Sequence, residues 1–276
     1  TDVDIYCPAK MESLAFDTDA ARLCLDDGSV VSAALVVGAE GANSPVRAAA
    51  GIETTGWAYG QRCTVGTVTP ARHHRHIAWQ RFTETGPVAF LPLSDGRCSL
   101  AWHADDALAA ELAELDHDTF CERLTAASGG VLGEIEHMNQ RASFPLKLQH
   151  AREYCRPRVA LAGDAAHVVH PMAGQGVNLG LLDVAGMTDA LEAGRAAGRD
   201  AGDMTYLRRY QRARMAENLM MLGATDAFKR VYGSANPLLR TLRQSAIGVA
   251  ANLAPIRQIM IHHAVGLSSS GPRLLQ

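Results

Sequence analysis

Residues Ala160–Gly180 read ALAGDAAHVVHPMAGQGVNLG, and their types and spacing are those of a ligand site. An apolar strand over Arg158–Ala162 runs into Gly163-Asp164, which delivers a carboxylate to the C-terminal edge where α/β sheets bind ligands. A carboxylate at that edge accepts hydrogen bonds from sugar-type hydroxyls. His170 and Pro171 follow, and then Gly174, Gln175 and Gly176 lead into a helix. Glycines there let the backbone lie flat against a ligand. The unpaired N–H groups and positive end of the helix favour negative charge, and Asn178 adds a polar side chain one turn in. The set suits a ligand with a polyhydroxyl chain and a delocalised anion.

A second loop has complementary chemistry. Leu35-Val36-Val37 reads as a buried strand running into Gly38-Ala39-Glu40-Gly41-Ala42-Asn43-Ser44-Pro45-Val46-Arg47. Gly38 and Gly41 permit close backbone approach, Ser44 and Pro45 are an N-cap and first helical residue, and Glu40 is a charged partner. Arg47 offers a forked cation suited to phosphate. A short helix over Val46–Ala50 is stopped by Gly51.

The elements that must position these loops are legible in outline. Short strands are expected at Asp2–Cys7, Met11–Phe16, Arg22–Leu25 and Ser29–Ala33, with a tight hairpin turn at Asp27-Gly28. Alternation then predicts strands at Cys63–Thr69, His76–Thr83, Val88–Leu93 and Arg97–Trp102, separated by Thr85-Gly86-Pro87 and Ser94-Asp95-Gly96. Helices are expected at Asp105–Leu115 and Asp118–Ser128, the second capped by Asp116 or Asp118, then a strand at Glu136–Leu148. A helix from Gly174–Val177 to Ala197, a long one from Asp203 to Val231, and two begun by Asn236-Pro237 and Pro255 complete the chain. The fold class is mixed α/β (α+β). Residues 1–56 and 151–200 form one domain, 57–150 an antiparallel-sheet domain, and 201–276 a helical tail.

Composition is that of a globular protein: 276 residues, 47% hydrophobic and 20% charged. The net charge of −3 is unevenly spread. Residues 204–276 carry ten Lys and Arg against Glu217 and Asp226, leaving 16 basic and 27 acidic residues elsewhere. That asymmetry points to a membrane surface or an anionic partner, or else to a tail that complements the acidic body. Six cysteines stand singly, without a CxxC pair, which fits unpaired thiols in a reducing compartment. The apolar stretch Ala246–Ile256 is broken by Asn252 and Pro255 and falls short of a bilayer span. His73-His74-Arg75-His76 looks metal-like, but has no acidic or Cys ligand beside it and reads as a solvated loop, so no metal is expected.

The Ala160–Gly180 stretch closely resembles the second flavin motif of the single-component flavoprotein monooxygenases, the group of para-hydroxybenzoate hydroxylase-like enzymes. Gly38–Arg47 resembles that group's internal G-A-D-G-x-x-S-x-V-R signature, departing at Glu40, where the family usually has Asp. Finer resemblance, in Phe90-Leu91-Pro92-Leu93-Ser94, Phe144-Pro145-Leu146 and Tyr206-Leu207-Arg208-Arg209-Tyr210, is to the ubiquinone-biosynthesis hydroxylases. It implies FAD as cofactor, NAD(P)H as reductant, and hydroxylation of a polyprenylated phenol by O2. In that reading Asp164 holds the ribitol, and Gly163, Gly174, Gln175, Gly176 and Asn178 serve the flavin ring. Gly38, Glu40, Gly41 and Arg47 serve the pyrophosphate side. Pro171 walls the substrate, and His170 is the nearest group for proton transfer. Trp79 and Phe90, on the 57–150 sheet, are candidate pocket residues or ordinary core.

The family's opening strand–GxGxxG–helix unit, with its acidic residue further on, has no counterpart upstream of Gly38. The expectation is therefore a remnant of the FAD domain, a fragment that binds FAD poorly and is inactive alone. The expected location is the cytoplasm, peripheral to the inner membrane, with the basic C-terminal helices meeting a membrane surface or a quinone-biosynthesis complex. A homo-oligomer is left open and no nucleic acid is expected. Two other readings stand beside this one: a non-catalytic subunit of such an assembly, and a reductase, epoxidase or halogenase on the same fold.

Overall fold

The computed structural model describes residues 3–171, 176–232 and 272. It is mixed α/β with antiparallel sheets, and its chain divides into two compact units, Thr1–Gly56 with Leu148–Phe228, and Trp57–Lys147.

The first unit opens on a three-stranded antiparallel sheet, β1 (Met11–Phe16), β2 (Ala21–Leu25) and β3 (Val30–Ala33). Asp27-Gly28 turns the hairpin, with Gly28 at φ +82° and the Asp27 carboxylate accepting the Ser29 N–H. The strand expected at Asp2–Cys7 does not form. Val3–Cys7 has no strand pairing and is exposed, because no neighbouring strand takes up its backbone groups; Asp2 lies outside the described residues. Strand β4 (Val36–Gly38) then feeds α1 (Pro45–Ala49), where Ser44 accepts the Arg47 N–H and Pro45 stands at the first turn.

The second unit is built on an antiparallel sheet. Strand β5 (Thr54–Pro70) pairs with β8 (Cys98–Asp105), which pairs with β7 (Pro87–Pro92), which pairs with β6 (Trp79–Phe82). Its core joins Phe90, Leu100 and Trp102 of the sheet to Leu112 of α2 (Asp106–Glu114) and Phe120 and Leu124 of α3 (His117–Ser128). Asp105 caps α2 and Asp116 caps α3, each carboxylate taking a backbone N–H at the third position. The strand expected over Glu136–Leu148 is two, β9 (Ile135–Met138) and β10 (Ala142–Ala151), parted by Asn139-Gln140-Arg141. His74 is buried, not solvated: its Nε2 meets the Leu93 carbonyl and its Nδ1 accepts the His76 N–H. Among the described residues no cluster of His, Cys, Asp or Glu could hold a metal ion.

On its return to the first unit the chain forms β11 (Cys155–Arg156) and β12 (Val159–Leu161). The latter lies parallel to β4, Ala160 opposite Val37. A 3₁₀ turn over Gly163–Ala165 leads to β13 (His167–Val168), paired with β10. Helices α4 (Gly176–Ala196) and α5 (Met204–Tyr232) close the unit over a core of Val159–Ala162, Tyr154, Met187, Leu207 and Tyr210. The helices expected from Asn236 and Pro255 lie outside the described residues.

Candidate functional site

The parallel pairing of β4 and β12 sets their C-terminal ends side by side, so Gly38–Arg47 and Gly163–His167 leave the same sheet edge. Gly38 is closely packed there. A Cβ on it would lie 2.9 Å from Leu161 Cδ2 and 3.1 Å from Val46 Cβ. Gly41 takes φ +90° and its carbonyl accepts the Ser44 N–H, making the turn into α1.

Glu40 and Arg47 serve the loops themselves. The Glu40 Oε1 accepts the Ser44 hydroxyl at 2.8 Å and the Val46 N–H at 2.7 Å, so the longer side chain caps α1. Arg47 donates from Nη1 to the Ala165 carbonyl at 2.8 Å and from Nη2 to the Ala42 carbonyl at 2.9 Å. Burial holds its pKa below the usual value, against the opposing charge of Glu40. The Arg47 guanidinium thus braces the two loops, its planar head matching two carbonyls at once.

On the other side of the brace, Gly163 takes φ +60° and turns the chain so that Asp164 is exposed. The Asp164 carboxylate makes no hydrogen bond among the described residues. Its Oδ1 lies about 4.0 Å from where a Cβ on Gly176 would stand, at the first residue of α4. Gly163 and Gly180 meet backbone to backbone; a Cβ on Gly180 would sit 3.3 Å from the Gly163 Cα. The result is an uncommitted carboxylate beside a helix N-terminus, walled by glycine backbone. That cradle fits a flavin: hydroxyls for the carboxylate, and an electron-rich ring for the helix end. Asn178 is exposed on the first turn of α4, His170 is buried, and Pro171 is half-buried. Gly174 and Gln175 lie outside the described residues.

Beneath the turn lies a buried polar cluster that the sequence reading missed. Asp183 of α4 is fully enclosed. Its Oδ2 accepts the Gly163 N–H at 3.0 Å and His167 Nε2 at 2.5 Å, and its Oδ1 accepts Arg214 Nε at 3.0 Å and Asn218 Nδ2 at 3.1 Å. Burial opposes the Asp183 charge, yet hydrogen bonds from His167, Asn218 and the Gly163 N–H outweigh it and hold the carboxyl below its usual range. Asn218 Nδ2 also donates to the Tyr154 hydroxyl, which is hydrogen-bonded to His150 Nε2 at 3.0 Å. Burial, then the neighbouring His167, push the His150 pKa down. A signal was available. Asp183 stands on the buried stripe Leu179, Met187, Ala190, and Arg214 and Asn218 on the stripe Leu207, Tyr210, Leu222, where solvated charges do not belong.

Residues 3–221 match the family described as FAD binding domain. The chain belongs to that family. Among curated relatives, this FAD-binding domain is 38% identical over 268 residues to ubiquinone hydroxylase UbiL of Rhodospirillum rubrum, covering 97% of the chain and 62% of the relative. It is 36% identical over 265 residues to 3-demethoxyubiquinol 3-hydroxylase of Escherichia coli, covering 96% of the chain and 68% of that protein. Its fold matches p-nitrophenol 4-monooxygenase PnpA of Pseudomonas putida with a TM-score of 0.76 at 22% identity, over 92% of this chain and 65% of that one. The FAD-binding domain spans about three fifths of the length of most of the curated relatives it matches.

Proposed function

We propose that the chain carries the ribitol- and ring-contacting part of an FAD-dependent monooxygenase that hydroxylates a polyprenylated phenol in ubiquinone biosynthesis, with NAD(P)H and O2. The observation that supports this reading is the uncommitted Asp164 carboxylate beside the N-terminus of α4, in a chain whose relatives are named ubiquinone hydroxylases. Asp164 takes the ribitol hydroxyls, and Gly163, Gly176 and Asn178 line the ring side, together with Gly174 and Gln175. Bound flavin supplies the activated oxygen. Pro171 walls the substrate side, and His170 holds or passes a proton there. Glu40 and Arg47 act through the loops they fasten, with Gly38 and Gly41 giving the backbone room beside them.

The lipid-dissolved substrate class accords with α5, where Arg208, Arg209 and Arg212 are exposed together with Leu219 and Met220. We propose that this face meets an anionic membrane surface on the cytoplasmic side. Among the described residues no helix is long and apolar enough to cross a membrane.

The test is to purify the natural gene product containing this chain, measure its bound FAD, and supply NAD(P)H with a short-chain prenylphenol in detergent. A product heavier by one oxygen atom drawn from O2 supports the reading. Flavin bound and reduced without oxygen transfer to any prenylphenol would overturn it.

A further inference from the structure

The loop Gly163–His167 is held at both ends by one atom. Its first N–H and its last imidazole both donate to Asp183 Oδ2. The other oxygen of the same carboxylate receives Arg214 and Asn218 from α5. The contacts of His167, Arg214 and Asn218 are buried and that of the Gly163 N–H is partly so, the glycine that starts the loop has a left-handed φ, and the residue next to that glycine is Asp164. A turn of this conformation is not fixed by local preference alone, since glycine populates many others. What selects it is the acceptor waiting for its N–H.

We propose that Asp183 is a positioning residue for the flavin-contacting turn, closing the loop Gly163–His167 upon itself and fastening it to α5. The proposal rests on the reading of Asp164 and the α4 N-terminus as the flavin cradle. In this role Asp183 touches no ligand. It sets the direction of the Asp164 carboxylate through the Gly163 peptide, with His167 as a second donor to the same oxygen and Arg214 and Asn218 as its tether. Substitution should therefore loosen ligand binding by more than the accompanying loss of stability explains.

The experiment compares Asp183→Asn with Leu207→Ala, a core truncation in α5 that leaves every one of these hydrogen bonds in place. FAD affinity is read by quenching of flavin fluorescence, stability by thermal unfolding, and the turn by hydrogen exchange of the Gly163 amide. Asp183→Asn is expected to weaken FAD binding and speed Gly163 exchange by about tenfold or more each, the loss of one charge-assisted hydrogen bond. Leu207→Ala, at equal or lower Tm, should leave both close to the parent values, and Asp183→Glu should recover part of the loss. Equal FAD affinity in Asp183→Asn and Leu207→Ala at matched Tm overturns the proposal. Where Asp183→Asn does not fold cooperatively, His167→Gln carries the same comparison, and unchanged affinity and exchange in it overturn the proposal. All variants are made in the natural gene product containing this chain; if that parent binds no FAD, the flavin-cradle reading fails, and unchanged Gly163 exchange in the variants would then separately overturn the strap.

Discussion

The Arg47 guanidinium and the Ala165 carbonyl, 118 residues apart in the chain, meet at 2.8 Å. This bond makes one site out of two loops, because Arg47 also holds its own loop at the Ala42 carbonyl. Arg47→Met keeps the apolar stem and strands both carbonyls. It is expected to lower unfolding stability by about 1–3 kcal/mol in urea titration. Arg47→Lys, a single point charge, should recover less than half of that.

Gly180→Ala separates ligand geometry from stability. The added methyl gains about 1 kcal/mol of helix propensity in α4, while crowding the Gly163 Cα at 3.3 Å. Unfolding stability should change little, yet FAD affinity should fall, as the first turn of α4 is pushed off the Gly163 turn. Undiminished affinity in Gly180→Ala would show that this contact does not shape the cradle.

Acid should destabilise the chain below the ordinary histidine pKa. Burial pushes His103 down to about 4. Burial together with His167 pushes His150 down as well. A histidine with a depressed folded pKa binds its proton more readily when unfolded. Its contribution is therefore fully present above its unfolded pKa of 6.5 and is lost as pH falls towards the folded pKa. Urea midpoints measured from pH 7.5 to 4.5 should fall by about 1–3 kcal/mol equivalent for His103. His103→Gln should flatten the slope between roughly pH 6.5 and 4.

Asp183 titrates in the opposite sense of charge. Its carboxyl is held below 3.8, so its contribution is present above that value and disappears only as pH falls through the lower folded pKa. Asp183→Asn removes that contribution, so unlike His103→Gln it should flatten the stability profile below pH 3.8.

The exposed face of α5 predicts lipid dependence. Arg208→Ser, Arg209→Ser and Arg212→Ser combined should abolish co-sedimentation with vesicles containing phosphatidylserine. Each lost charge removes about 1 kcal/mol near an anionic surface. Binding to neutral vesicles should be unaffected. Arg214, counted with this basic segment in the sequence, contributes nothing to the face because it is buried against Asp183.

Much of the fold was legible wherever a local signal stood alone. Ser44-Pro45 marked the start of α1, Asp116 or Asp118 that of α3, of which Asp116 is the cap, and Asp27-Gly28 the hairpin, because caps and turns are decided by neighbouring residues. Partnered structure was not. Strand β5 begins at Thr54, well ahead of the alternation that starts near Cys63, because its pairing rather than its pattern extends it. Val3–Cys7 has the pattern and no partner. The same distinction runs through the site. The placing of Gly163, Asp164 and Gly176 between β12 and α4 could be read from their order, whereas the hydrogen bonds of Glu40 and Arg47 depended on which acceptors and donors the fold brought to them. The Asp183 cluster joins residues from α4, α5 and the loop, and only its misplaced charges on apolar stripes betrayed it.

Gly56 lies so close to Leu148 that a side chain on it would collide with the Leu148 carbonyl. The ends of the segment Trp57–Lys147, which has a hydrophobic core of its own, are thus flanked by residues that lie side by side. Joining β4 to β12 across a flexible stretch of that length would cost on the order of 4 kcal/mol in loop closure alone. A segment that folds by itself, with its ends already together, removes most of that cost before the strands meet. Early folding of the inserted segment would therefore favour the meeting of β4 and β12, and with it the Arg47–Ala165 brace. Slow or failed maturation of the insert would thus abolish the ligand site without altering one residue in it.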